Sequence, residues 1–178
     1  MQIAEGTVLK HFFTRFQKTL SPKRCCLIFN SVKLSGRRCN ELFKKAGVTV
    51  GNGFTVTPPF YFEFGNISLG ENVYINTGCV FLDNASISIG DNSLLGPQVR
   101  LCTPTHPISP KERLGENRTT SQPISIGNNV WIGAGAVILP GVTIGDNSVI
   151  AANSVVKSDI PCNELWAGCP AVFKRSIK

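Results

Sequence analysis

Aliphatic side chains recur at every sixth position over much of the chain. In the second half these positions are Ile126, Ile132, Ile138, Ile144, Ile150 and Val156. Four residues after each of the first five lies a small or branched side chain, namely Val130, Ala136, Val142, Ser148 and Ser154. The same period occurs earlier at Leu69, Ile75 and Phe81 and, after a slip of two residues, at Ile89, Leu95 and Leu101. A period of six matches neither the 3.6 residues of a helical turn nor the alternation of an unbroken strand.

This period predicts a short strand, a bend and another short strand, with the aliphatic residue pointing into a narrow prism. Three hexads close one triangular coil, and stacked coils bury the aliphatic positions as a continuous core. Gly, Asn and Asp at the bends tolerate the unusual backbone angles needed there, as in residues 90–92 and 145–147. We therefore predict an all-β-dominated fold, a parallel β-helix of about five coils over residues 48–161.

Three segments lie outside this period. Residues 1–47 place Phe12, Phe13 and Phe16, and later Leu42 and Phe43, at helical spacings, which predicts a short N-terminal helical segment ending near Gly47. Residues 102–125 are rich in Pro, Thr and Ser, and we expect an extruded loop there, because a long aperiodic loop inside a compact repeat is usually functional. Residues 162–178 are predicted to form a C-terminal segment that packs on the β-helix.

Charge is distributed unevenly along the chain. The net charge of +7 arises from residues 1–47, which carry +8, whereas residues 48–178 carry −1. A basic head could bind an anionic membrane surface or a nucleic acid, but no nucleic-acid motif accompanies it. We favour a solvated helical face, with no nucleic-acid partner.

Composition places the chain among cytoplasmic proteins. No apolar run is long enough to span a bilayer, so we expect no integral membrane contact, and no signal peptide is evident. Seven cysteines without such a peptide indicate reduced thiols in the cytoplasm.

Few residues can carry catalysis. Histidine occurs only at positions 11 and 106, too few for a three-histidine zinc site, and the cysteines lack ligand spacing, so we predict no metal. His106 lies at the start of the aperiodic loop, between Pro104 and Pro107, and a neutral imidazole there could act as a general base. It could equally be an ordinary surface histidine. Asn76 could orient an acceptor, although an Asn at a coil corner is more often a turn residue.

Five stretches of the chain carry a resemblance to a known family. They are residues 59–67 (PFYFEFGNI), 74–76 (YIN), 105–107 (THP), 126–133 (IGNNVWIG) and 167–171 (AGCPA). Together they resemble the maltose, galactoside and nodulation group of sugar O-acetyltransferases, within the hexapeptide-repeat acyltransferases. The resemblance extends from about Val48 to Arg175, and it implies a left-handed β-helix in a homotrimer, with active sites at the subunit interfaces.

The resemblance also implies roles for individual residues. The co-substrate would be acetyl-coenzyme A, lying in a groove between neighbouring prisms. His106 and Asn76 would be catalytic, and the backbone N–H of Ala134 would stabilise the oxyanion. Residues expected to bind the acceptor are Glu63, Tyr74, Asn76, Asp83 and Asn84. Residues expected to bind the coenzyme are Trp131, Gly133, Ala134, Ala152, Lys157, Ser158 and Arg175.

The leading interpretation is an acetyltransferase that moves an acetyl group from acetyl-coenzyme A to a hydroxyl of a sugar or sugar-like acceptor, with His106 as general base. The alternatives are an N-acetyltransferase acting on a sugar nucleotide and an O-acetyltransferase acting on serine or a xenobiotic. A catalytically silent trimeric scaffold, whose basic head binds an anionic partner, is the alternative outside the enzymes.

Overall fold

Three parallel sheets form the sides of a prism. The structure is a computed structural model that describes residues 18–115 and 118–178. The first sheet contains, in order, β1 (Thr49–Val50), β4 (Ile67–Leu69), β7 (Ile87–Ile89), β12 (Ile124–Ile126) and β15 (Thr143–Ile144). The third sheet contains β3 (Phe60–Phe62), β6 (Cys79–Leu82), β9 (Arg100–Cys102), β14 (Val137–Ile138) and β17 (Val155–Val156).

The second sheet is longer. Its order is β2 (Thr55–Val56), β5 (Tyr74–Ile75), β8 (Leu94–Leu95), β13 (Trp131–Ile132), β16 (Val149–Ile150), β18 (Glu164–Gly168) and β19 (Ala171–Ser176). All neighbours pair in parallel except β18 and β19, which pair antiparallel. The C-terminal residues thus extend this one side of the prism.

Each coil runs through the first, second and third sheets in turn. The strands from β1 to β17, apart from two strands in the loop between β9 and β12, make five complete coils, and the bridge from Ile160 to Ile144 together with β18 begins a sixth. Every residue of the predicted six-residue period, including the small positions of the second half, is at most 3% exposed. The predicted fold class, a parallel β-helix with a short helical segment before it, is confirmed.

Asparagine forms the corner between the first and second sheets. Five Asn residues there adopt positive φ angles of 54–61°: Asn72, Asn92, Asn129, Asn147 and Asn163. Asn tolerates this left-handed backbone better than most side chains. Its amides also bond from coil to coil, as in the 3.1 Å bond from Asn129 Nδ2 to Asn147 Oδ1. The corner therefore turns the chain and joins neighbouring coils.

Two helices close the end of the prism at its first coil. They are α1 (Pro22–Ser31) and α2 (Gly36–Lys45), and both contact strands of that coil. The ring of Phe43 packs against four other aromatic rings, with centroid distances of 5.1–6.0 Å, namely Phe29, Phe54, Phe60 and Phe62. Leu42 and Phe43 are buried as their helical spacing predicts, whereas His11, Phe12, Phe13 and Phe16 lie outside the described residues.

One long loop leaves the prism between β9 and β12. Its arms are β10 (Pro104–Thr105) and β11 (Thr120–Ser121), which pair antiparallel, and the short helix α3 (Pro110–Arg113) lies between them. The predicted extruded loop is thus a hairpin arm that emerges where the third sheet turns into the first. Among the described residues, no helix has the length and apolar character that a membrane crossing requires.

Candidate active site

The thirteen predicted site residues divide between two corners of the prism. The first set, which we call the sheet group, lies on the outer face of the second sheet or at the corner that follows it: Tyr74, Asn76, Trp131, Gly133, Ala134, Ala152 and Arg175. The second set, the loop group, lies at the corner between the third and first sheets, where the long loop emerges: Glu63, Asp83, Asn84, His106, Lys157 and Ser158.

The sheet group contains a straight column of outward-facing side chains. Strand pairing aligns Tyr74, Leu94, Trp131, Val149, Leu165 and Arg175 in that order. Because neighbouring strands lie about 4.8 Å apart, Trp131 is about 10 Å from Tyr74 along the prism, and Arg175 is about 14 Å further on. The Trp131 side chain is 55% exposed. The column can therefore contact an elongated ligand, with an aromatic ring in the middle and a guanidinium at one end.

The corner beside this column presents main chain rather than side chains. A Cβ added to Gly96 would lie 2.7 Å from the nitrogen of Ala134, and one added to Gly133 would lie 2.5 Å from the nitrogen of Ala152. Only glycine allows coils to approach so closely. Within the described chain, no backbone hydrogen bond uses the N–H of Ala134 or Ala152. Both N–H groups are available to donate to a ligand.

Asn76 and Tyr74 stand at the end of the column nearest the helices. The Oδ1 atom of Asn76 accepts a 2.8 Å hydrogen bond from the backbone N–H of Thr77, which fixes the side-chain amide at the corner. Its Nδ2 group has no acceptor in the part of the chain that is described. The hydroxyl of Tyr74 lies 3.4 Å from Oγ1 of Thr57. Asn76 is thus a turn residue and, at the same time, a fixed donor.

The loop group contains the histidine. His106 is exposed, and its Nδ1 atom lies 2.5 Å from the carbonyl oxygen of Arg118 and 3.4 Å from Oγ1 of Thr119. A carbonyl oxygen only accepts hydrogen bonds, so Nδ1 is protonated and donates to the Arg118 carbonyl. In the neutral imidazole Nε2 is then unprotonated and able to accept a proton. Antiparallel pairing of Thr105 with Thr120 brings the two arms of the loop together here.

Sequence reasoning missed Arg118. Its backbone carbonyl orients His106, while its Nε–H donates a 3.1 Å hydrogen bond to the carbonyl oxygen of Gly115, just beyond α3. The side chain thus connects the end of α3 to the returning arm of the loop. No motif marks this residue, because its contact with the histidine uses a main-chain atom that every residue has.

The structure corrects the role assigned to Asp83. This side chain is completely buried, and its carboxylate accepts hydrogen bonds at 2.6–3.3 Å from the backbone N–H groups of four consecutive residues, 63–66. The Asp83 carboxylate therefore stabilises the loop of the preceding coil rather than facing an acceptor. Asn84 and Glu63 are both exposed at the same corner.

No group of residues in the described chain could hold a metal ion through three or more His, Cys, Asp or Glu side chains. The residues expected to bind coenzyme A have a chemistry that could hold it. An open column with Trp131 and Arg175 suits a long molecule with a charged end, and the N–H groups of Ala134 and Ala152 suit its amide and thioester oxygens. Lys157 and Ser158, both exposed, lie at the other corner.

Comparisons with known proteins identify relatives of this chain. Residues 123–158 match the family model of the bacterial transferase hexapeptide (six repeats). Galactoside O-acetyltransferase of Escherichia coli K12 is 47% identical over 138 residues, which cover 77% of this chain and 68% of that one. A galactoside acetyltransferase solved in complex with coenzyme A superposes with a TM-score of 0.82 at 43% identity, over 88% of this chain and 79% of that one.

A second solved structure, a hexapeptide-repeat acetyltransferase of Vibrio cholerae with acetyl-coenzyme A, has a TM-score of 0.83 at 40% identity. The match covers 88% of this chain and 85% of that one. Sequence similarity and fold lead to the same assignment. The chain belongs to the hexapeptide-repeat acetyltransferases, in the family of the galactoside O-acetyltransferases.

Proposed function

We propose that this protein transfers an acetyl group from acetyl-coenzyme A to a hydroxyl of a sugar or sugar-like acceptor, with His106 as the general base. The observation that carries the proposal is the contact between His106 Nδ1 and the Arg118 carbonyl, which leaves Nε2 as a proton acceptor on an exposed loop. The co-substrate is supported by the coenzyme-bound structures of relatives, and the acceptor class by the name of the relative galactoside O-acetyltransferase.

Each residue has its own role in the proposed reaction. Acetyl-coenzyme A, when bound, supplies the acetyl group as a thioester. Nε2 of His106 takes the proton from the acceptor hydroxyl as its oxygen attacks, and the protonated ring later returns a proton to the departing sulfur. General base catalysis of this kind contributes about 10²–10⁴-fold. The N–H of Ala134 donates to the carbonyl oxygen as negative charge develops there, worth about 10²–10³-fold. Nδ2 of Asn76 orients the acceptor.

The two corners need a second subunit to meet. No hydrogen bond in the described chain joins the sheet group to the loop group, which lie at different corners. We propose a cyclic homotrimer in which the loop group of one subunit faces the sheet group of the next. Such heterologous contacts close when the rotation between subunits is one third of a turn.

The outer faces of the three sheets support this assembly. The first sheet presents only hydroxyl side chains outward, namely Thr49, Ser68, Ser88, Ser125 and Thr143. The third sheet presents mostly apolar ones, namely Tyr61, Val80, Arg100, Val137 and Val155. The column of the second sheet is also largely apolar. We therefore assign the second and third sheets to subunit contacts and the first sheet to solvent.

The location is proposed to be cytoplasmic. All seven cysteines are free, which agrees with a reducing compartment.

Release of the coenzyme A thiol tests the proposed activity. The purified protein is given acetyl-coenzyme A and, one at a time, a panel of galactosides, maltose, glucosides, amino-sugar nucleotides, serine and aromatic alcohols, with His106→Ala as the matched control. Release that depends on a sugar hydroxyl and on His106 supports the proposal. Release only with amines or with serine would replace the acceptor class, and no release with any acceptor would favour the silent scaffold.

A further inference from the structure

The helical cap carries most of the excess positive charge of the molecule. We use the name cap for residues 18–47, which contain eight Lys or Arg side chains and one acid, Glu41. Oε1 of Glu41 lies 3.3 Å from Nε of Arg37. Lys23, Lys33 and Lys44 are exposed, and no other acidic side chain of the cap is present to neutralise them.

The fold turns this charge away from the prism. In α1 the buried residues are Cys25, Cys26, Ile28 and Phe29. Lys23, Leu27 and Ser31 follow one another at intervals of four residues, so they form a stripe on the opposite side of the helix. In α2, Leu42 and Phe43 face the prism, whereas Lys44 is exposed. The cap therefore seals the core with one surface and presents a basic surface beyond the end of the prism.

One large apolar side chain of the cap is also exposed, on the stripe of α1 that carries Lys23. Leu27 is 58% exposed, and it is the one large hydrophobic side chain of the cap that is exposed to that degree. A polar outer surface is enough to terminate a stacked repeat. Neither the excess of one charge sign nor the exposed leucine is needed for that. Basic side chains around an exposed apolar residue are instead typical of surfaces that lie on anionic membranes.

We propose that the cap binds the protein peripherally to an anionic lipid surface, with Leu27 entering the headgroup region and Lys23, Lys33 and Lys44 contacting lipid phosphates. In the proposed trimer, cyclic symmetry places all three caps at the same end. Three weak contacts then bind the same surface together, which raises the apparent affinity well above that of one cap.

The cap fits lipid better than nucleic acid. Proteins that bind single strands stack bases on exposed aromatic rings. The strongly exposed aromatic side chains of the described chain are Tyr61, Phe64, Trp131 and Phe173, which all lie on the prism and not on the cap. A buried Phe43 and an exposed Leu27 are the reverse of what base stacking requires.

Sedimentation with vesicles tests the proposal and needs no enzymatic activity, so its failure is independent of the proposed function. The probes are vesicles of pure phosphatidylcholine and vesicles with roughly 30% phosphatidylglycerol, at about 0.1 M salt. We expect binding to the anionic vesicles alone, lost at high salt. Combining Lys23→Glu, Lys33→Glu and Lys44→Glu should weaken it at least 100-fold, since each basic residue near such a surface contributes about 5-fold.

A charge-matched control distinguishes an effect of the cap lysines from an effect of the net charge of the protein. Lys111→Glu, Lys174→Glu and Lys178→Glu change three exposed lysines elsewhere and give the same net charge as the cap variant. This control should stay within a few-fold of wild type, while Leu27→Ser should weaken binding without altering the thermal midpoint. Equal weakening by both triple variants, absence of wild-type binding, or displacement from vesicles by an oligonucleotide at comparable concentration would overturn the proposal.

Discussion

His106 is the side chain on which the proposed chemistry depends most directly. Replacing it by alanine removes the proton acceptor, and we expect kcat to fall at least 10²-fold. The KM for acetyl-coenzyme A should change little, because the column that we propose binds the coenzyme lies on the second sheet, away from His106. Steady-state rates with both substrates varied separate the two effects. Wild-type turnover in a purified, folded His106→Ala protein would remove this residue from the mechanism.

Arg118 gives a second prediction at this scale, because its side chain holds the carbonyl that orients His106. We expect Arg118→Ala to lower kcat about 10-fold by releasing the returning arm of the loop, with Arg118→Lys partly restoring it. The coenzyme KM should stay unchanged.

The double variant with His106→Ala is the control for Arg118. If Arg118 acts only through the histidine, its replacement costs nothing further once His106 is absent. Additive losses in the double variant would mean that Arg118 acts on its own.

The sequence predicts a functional role for His106 but not for Arg118. His106 could be predicted because histidine is scarce and the loop is aperiodic, whereas the Arg118 carbonyl acts through main chain and leaves no trace in residue type. The burial of Asp83, in contrast, is indicated by the sequence. Cys79 and Phe81 on β6 and Asp83, the residue that follows the strand, lie two residues apart, and all three are fully buried. Continuing the alternation of the strand by one residue therefore predicts that the Asp83 carboxylate points inward.

At the scale of the elements, the hexad register could be read directly from the sequence because each inward position repeats the same physical requirement. The corners could be anticipated only as turns, since their function depends on which coils lie above and below them. The close approach of Gly133 to Ala152, for example, joins residues of neighbouring coils. The residues next to Gly133 in sequence do not indicate this contact, whereas the six-residue period indicates which residues of neighbouring coils lie together.

Strand β6 yields a prediction of pH dependence. Burial raises the pKa of the Cys79 thiol from 9.0 to about 11. A raised pKa in the folded state contributes stability that is complete below pH 9 and is lost as the pH rises toward 11. A shift of this size corresponds to about 2–3 kcal/mol of unfolding free energy at the upper end. Urea titrations between pH 8 and 11 should show this loss in wild type.

Cys79→Ala is the matched control, because it removes this thiol while leaving the other buried or half-buried cysteines, the lysines and the tyrosines in place. The wild-type protein should lose more stability than Cys79→Ala over the same range. Parallel curves for the two proteins would show that the Cys79 thiol does not titrate in this way.

At the scale of the whole molecule, the division of the site between two corners predicts complementation between inactive subunits. One variant, His106→Ala, lacks the loop-group base. The other, Asn76→Ala with Trp131→Ala, lacks the sheet-group contacts. If each active site combines the loop group of one subunit with the sheet group of its neighbour, co-refolding equal amounts should restore roughly one quarter of the wild-type sites.

The restored activity should disappear when the two variants are refolded separately and then mixed without subunit exchange. Light scattering should report a trimer in every sample, which excludes loss of assembly as the cause of inactivity. Co-refolded trimers as inactive as either parent would place both groups of each site within one chain, and the second and third sheets would lose their assignment as subunit contacts.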